Sequence, residues 1–210
     1  MKIGVFDSGK GGQLIAARLQ ALLPGNDWVV VDDFNNVPYG EKDQQTIVEL
    51  TEKAIMPLLE QCSIIVIACN TATTAAIETL RLRYPNTSFV GVEPMIKPAV
   101  ANSQHAHITI LATPYTLTSE RYRALKTTYS LASTLDEPST AGWPRIIDEG
   151  AEEEIDFSAI DQSIASGSDT IVLACTHFLA LQPKLQQAFP NVTILEPSEA
   201  LARQVAFLMK

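Results

Sequence analysis

The chain reads as an α/β protein of two pseudo-symmetric lobes, each a parallel sheet flanked by helices, with a functional cleft between them. Two observations predict this. Apolar β-branched runs alternate along the chain with stretches of helical periodicity, the pattern of βαβ units joined by right-handed crossovers. One strand-and-motif unit also occurs twice: Ile65-Val66-Ile67-Ala68-Cys69-Asn70-Thr71 returns as Ile171-Val172-Leu173-Ala174-Cys175-Thr176-His177. Each copy is an apolar run ending in a cysteine and then polar residues, as expected of a strand buried on both faces.

Taken in order, the strand-like runs are Lys2–Phe6, Trp28–Val31, Ile64–Ala68, Phe89–Val92, Ile108–Ala112, Thr170–Ala174 and Val192–Leu195. Helical patterns lie between them at Gln13–Leu23, Gln44–Gln61, Ala72–Tyr84, Leu117–Thr127, Phe157–Ser166, Ala180–Phe189 and Glu199–Met209. Pro94 and Pro98 punctuate the chain and mark a boundary. The expected lobes are 1–95 plus 191–210, with the last strand and helix returning to the first lobe, and 96–190. Ser133–Gly150, rich in Pro, Ser and Thr around an isolated Trp143, reads as a loop. The run Glu152-Glu153-Glu154 reads as a solvated helix start.

Composition narrows the function. The chain has 210 residues, 46% hydrophobic and 19% charged, an ordinary globular balance with ample core. A net charge of −9 argues against a nucleic-acid partner, whose binders carry a basic face. No apolar run approaches the ~18 residues of a membrane span, so no membrane partner is expected. Three cysteines, Cys62, Cys69 and Cys175, do not make a secreted disulfide framework, and Asp7 interrupts the N-terminal apolar run too early for a signal peptide. The expectation is a cytoplasmic chain with reduced thiols.

Chemistry concentrates at the strand ends, which line the ligand crevice in open parallel sheets. Cys62 reads as a small buried hydrophobe. Cys69 and Cys175 each end a strand and precede a helix, whose N-terminal potential favours a thiolate. Two thiols at equivalent points of two similar halves suit a reaction that takes a proton from one face of a carbon and returns one to the other. A zinc site built on Cys69, Cys175 and His177 lacks a C-x-x-C unit and a clear fourth ligand, so no metal is expected. A disulfide between the two requires their Cα atoms within about 7 Å.

Asp7-Ser8-Gly9-Lys10-Gly11-Gly12 ends the first strand and opens the first helix. It is neither phosphate loop nor dinucleotide fingerprint, since no G-x-x-x-x-G-K-[ST] occurs and Leu14 stands at the third glycine of G-x-G-x-x-G. Its glycines still let backbone N–H groups approach a small anion such as a carboxylate. Asp7 is a helix cap or a proton partner for a thiol. His177, beside Cys175, is a proton partner or orienting group. Asn70, Thr71, Thr113, Thr116 and Thr176 serve an amino acid's carboxylates and ammonium, or cap helices. Val37-Pro38-Tyr39-Gly40 reads by spacing alone as a turn.

These segments resemble the cofactor-independent glutamate racemases of the aspartate/glutamate racemase superfamily. The matching stretches are Ile3-Gly4-Val5-Phe6-Asp7-Ser8-Gly9 with Gly11-Gly12, Val37-Pro38-Tyr39-Gly40-Glu41-Lys42, Ala68-Cys69-Asn70-Thr71-Ala72-Thr73, Gly91-Val92-Glu93-Pro94, Thr113-Pro114 with Thr116, and Cys175-Thr176-His177, in family order. The resemblance implies two acid/base thiols, Cys69 assisted by Asp7 and Cys175 assisted by His177. It implies glutamate held by Asp7, Ser8, Pro38, Tyr39, Gly40, Asn70, Thr71, Thr113, Thr116, Thr176 and His177. It also implies no cofactor, a homodimer, and supply of D-glutamate for peptidoglycan. Gly142-Trp143-Pro144-Arg145-Ile146-Ile147 replaces the family's Ala-Cys-Pro segment, which leaves Asp148 or Glu149 as the acidic helper. Lys10, Phe34-Asn35-Asn36 and Phe178-Leu179 also depart from the common pattern. Aspartate, relaxed Asp/Glu racemisation, and a catalytically impaired amino-acid-binding homologue are the competing readings.

Overall fold

A computed structural model describes residues Met1–Lys210. The chain divides into two units, Met1–Glu93 with Pro197–Lys210, and Pro94–Glu196.

The first unit carries a four-stranded parallel sheet of β1 (Lys2–Asp7), β2 (Asp27–Asp32), β3 (Ile64–Ile67) and β4 (Ser88–Gly91), in the order β2-β1-β3-β4. Helices α1 (Gly11–Leu22), α2 (Gln44–Leu59) and α3 (Asn70–Arg83) connect the strands. The central strands have no polar face. All of β3 is buried, and Ile3, Val5, Phe6, Ile15, Leu19, Ile47, Ile55 and Leu58 are sealed around it. Covering helices explain why these strands read as continuous apolar runs rather than alternating ones.

The second unit repeats that strand order. Its strands are β5 (His107–Ala112), β6 (Thr134–Asp136), β7 (Thr170–Ala174) and β8 (Thr193–Leu195), paired in parallel as β6-β5-β7-β8. Its helices are α4 (Ile96–Asn102), α5 (Pro114–Thr118), α6 (Glu120–Tyr129), α7 (Trp143–Asp148), α8 (Ser158–Ala165) and α9 (Gln182–Ala188). Side chains alternate across this sheet. Ile108, Ile110, Ala112, Val172 and Ala174 pack with Ile96, Ala99 and Tyr122 on one face. Leu111, Ile171, Leu173 and Cys175 pack with Trp143, Ile147, Ile160 and Phe178 on the other.

The structure differs in several details from the sequence reading. Residues 193–195 do not join the first lobe. They hydrogen-bond to β7 as an edge strand, and only α10 (Ser198–Leu208) belongs to the first unit, packed on α1 and β4. The stretch Ser133–Gly150 is not a loop but holds β6 and α7. Gly142, at φ 79°, turns the chain, and Pro144 sits in the first helical turn, where a missing N–H costs nothing. The helix expected at Leu117–Thr127 is two helices, because Ser119 is extended and its hydroxyl accepts the Tyr122 N–H to start α6 (3.1 Å). The Pro94–Pro98 stretch opens α4, which tolerates Pro98 in its first turn. Glu152–Glu154 forms a single 3-10 turn.

Candidate active site

Each unit carries a candidate half-site, gathered at the carboxyl ends of its central strands. In the first, β1 delivers Asp7 and Ser8, and β3 delivers Cys69. Asp7 is wholly buried. It is not the cap of α1, whose flanking Lys10 makes no side-chain cap bond; instead its Oδ1 accepts the Gly9 N–H at 2.8 Å. Gly12 lies against it so closely that an added Cβ would meet the Asp7 Cβ at 2.5 Å.

Cys69 is itself the cap of α3. Its Sγ accepts the Ala72 N–H at 3.4 Å and lies 3.2 Å from Ser8 Oγ. Capping by the thiol starts α3 two residues before Ala72, and Thr73 anchors that first turn by donating its hydroxyl to the Ile67 carbonyl (3.0 Å). Asn70 follows at the first helical position. It is 2% exposed, and neither its amide nitrogen nor its carbonyl oxygen has a hydrogen-bond partner within the protein. Leaving such groups unmet costs about 1–3 kcal/mol, which a bound polar ligand recovers. Thr71 is buried beside it.

The segment Pro38-Tyr39-Gly40 is more than a turn. Tyr39 is buried against Phe6 and donates its hydroxyl to Asp33 Oδ2 at 2.7 Å. Asp33 Oδ1 takes the Asn36 amide at 2.8 Å. Burial, reinforced by Asp33 and by the nearby Cys69, holds the Tyr39 phenol far above its ordinary range. Sequence reasoning missed Asp33. Nothing in its spacing announces it, since its role emerges only when the following turns fold the chain back. Lys10 sits over the Phe34 ring at 5.5 Å.

In the second unit, β7 delivers Cys175, followed by a 3-10 turn, Thr176–Leu181, in place of the start of the expected helix. Cys175 makes no cap bond to that turn. Its Sγ lies 3.8 Å from His177 Nδ1. His177 Nε2 in turn lies 3.3 Å from Asp148 Oδ2, within ion-pair reach but without the alignment of a linear hydrogen bond. Cys175, Thr176, His177 and the Asp148 side chain are all buried. Thr113 and Thr116 cluster at the end of β5, where the Thr113 hydroxyl caps α5 and touches the Thr116 hydroxyl at 3.0 Å. Asp148 and Glu149 separate here. Glu149 stands outside this half-site. One residue further along, the helical turn carries it to the surface, where it accepts from Arg145 Nε at 2.8 Å. No group of three or more His, Cys, Asp or Glu side chains is placed to hold a metal ion.

Comparison with known proteins identifies the family. The Asp/Glu/Hydantoin racemase family matches residues 13–205. The chain belongs to that family. Relatives include glutamate racemases of Herpetosiphon aurantiacus, 38% identical over 99% of this chain and 84% of its own, and of Ectopseudomonas mendocina, 36% identical over 99% and 81%. The crystal structure of Escherichia coli glutamate racemase, solved with L-glutamate and the activator UDP-MurNAc-ala, superposes with a TM-score of 0.88. Sequence identity is 29%, over 99% of this chain and 82% of that one.

Proposed function

We propose that the chain interconverts L- and D-glutamate by two-thiol acid/base chemistry, with Cys69 and Cys175 on opposite faces of the α-carbon. The observation that carries this reading is the equivalence of the two thiols. Each follows the third strand of a sheet with the same strand order, and each has an acid/base neighbourhood of its own. The full-length similarity to glutamate racemases supplies the substrate.

In one direction, the thiolate of one cysteine takes the α-proton as the opposite thiol delivers its proton to the other face. The enantiomer leaves and the two sulfurs have exchanged charge states. The reverse direction starts from that exchanged state, so no atom or electron is left over and the scheme calls for no cofactor. Asp7 and Ser8 serve Cys69, and His177, backed by Asp148, serves Cys175. The Ala72 N–H at Cys69 Sγ favours the anionic sulfur.

The α-proton of an amino acid is a weak acid, so charge developing at the carboxylate must be met by donors already in place. The unmet amide of Asn70, with Thr71 and Thr176, supplies them in this scheme, while Thr113, Thr116 and the Pro38-Tyr39-Gly40 segment take the rest of the substrate. D-glutamate made this way serves peptidoglycan synthesis, in a cytoplasmic enzyme acting as a homodimer.

The test is substitution of each thiol. Cys69→Ser and Cys175→Ser each lower the racemisation rate of glutamate by at least about 100-fold, read by chiral chromatography. Either variant racemising at the parent rate removes that sulfur from the mechanism.

A further inference from the structure

We infer that Trp143 is a positioning residue for the Cys175 half-site, acting through Asp148 and His177; the inference rests on the racemase reading. The helix that carries Asp148, α7, is only six residues long. A helix that short has too few internal hydrogen bonds to hold its own pose, so what it packs on decides where its last residue points. Trp143 opens α7, and Asp148 closes it.

The indole sets the contact. It meets the Phe178 ring edge-on at 5.6 Å with planes at 70°, and Phe157 at 6.1 Å with planes at 51°. Phe178 follows His177 directly, in the 3-10 turn against which α7 packs. Ile147, one turn after Trp143, is buried in the same cluster, which also contains Cys175. One aromatic contact therefore joins the helix that ends in Asp148 to the turn that presents His177. The two functional groups meet at 3.3 Å and already off line, a geometry with little room for further displacement. The exposed Arg145–Glu149 pair does not tie α7 to the turn.

Edge-to-face rings confer orientation as well as buried area. Loss of the indole lets α7 settle toward the turn, and shifts of about 1 Å at a proton-transfer site cost up to about 100-fold in rate. Groups that act through one another show this as non-additivity.

The experiment is a double-mutant cycle in kcat/KM for glutamate racemisation with the full chain: parent, Trp143→Ala, Asp148→Asn and the double variant, with Trp143→Phe as the conservative rescue. The expected result is a loss of about 10- to 100-fold in W143A, a loss of only a few-fold when the same change is made in D148N, and recovery in W143F. A W143A loss that multiplies in full onto D148N shows a general structural defect and overturns the inference, as does a W143A variant with parent kcat/KM. If W143A does not fold, Phe178→Leu removes the same ring contact from the other side and enters the same cycle. A parent chain that does not invert glutamate sinks the racemase reading and this inference with it. An active parent with a multiplicative cycle sinks the inference alone.

Discussion

Gly12→Ala tests how tightly the first half-site is built. The new methyl would stand 2.5 Å from the Asp7 Cβ, whereas carbon atoms pack at about 3.5–4.0 Å. The atom it meets is a Cβ beside the backbone rather than the tip of a flexible side chain. Relief therefore requires Asp7 or the start of α1 to move by about 1 Å. Asp7 cannot yield freely. It is wholly buried, in register with Asp32 across the sheet, holds the Gly9 N–H at 2.8 Å, and receives the Asp33 N–H at its carbonyl (3.2 Å). Overpacking of this kind costs about 1–3 kcal/mol, and disturbing a hydrogen bond to a carboxylate adds about 1 kcal/mol or more. The melting temperature of a chain this size then falls by roughly 2–4 °C per kcal/mol. If Asp7 assists Cys69, kcat/KM for glutamate falls by about 100-fold as well, more than the stability loss accounts for, because the variant remains folded at 25 °C. Thermal melting and chiral assay of the same preparation separate the two effects. A G12A protein that melts lower and yet racemises at the parent rate would refute the placement of Asp7 in the chemistry.

Asp148→Asn lowers kcat/KM by about 10- to 100-fold while Glu149→Gln leaves it unchanged, as steady-state kinetics on the two variants will show; the reverse order would reassign the acidic helper. Tyr39→Phe removes the hydroxyl that Asp33 holds and costs about 1.5–3 kcal/mol of unfolding free energy, measured by urea titration; an unaltered midpoint would mean that Asp33 does not hold the segment. Burial and carboxylate partners raise both Tyr39 and Tyr122 well above the ordinary phenol range. Their folded forms keep protons that the unfolded chain releases near pH 10. Stability from these two groups is therefore complete below that pH and falls above it, by about 1.4 kcal/mol per pH unit for each. Urea midpoints measured from pH 8 to 11 show the decline, and Y39F with Tyr122→Phe flattens it.

Seven of the eight strands were legible, the central ones because burial on both faces leaves β3 wholly apolar and β7 with Thr170 as its single polar residue, whereas the short edge strand β6 carries no such run. The duplicated motif gave the two like-ordered sheets for the same reason. What stayed hidden was set by packing rather than by local pattern. The helix α7 is six residues with a proline in its first turn, too short for periodicity to register, and its burial depends on Phe178, far along the chain. The choice between Asp148 and Glu149 is a question of helical phase, which needs the helix first. Assignment of 193–195 to the first lobe followed chain order, whereas the exposed edge of β7 captures that strand before the chain continues into α10. The Asp33 bond to Tyr39 arises from two successive 3-10 turns that no spacing rule foretells.

The most direct test of the central claim is proton NMR of the parent protein with L-glutamate in D2O, sampled early and followed by chiral separation. Two opposed thiols predict D-glutamate carrying deuterium at the α-carbon, while the remaining L-glutamate keeps its α-proton. Deuterium entering L-glutamate as fast as inversion would indicate a single exchanging base, and a persistent α-proton with no D-glutamate would contradict racemisation itself.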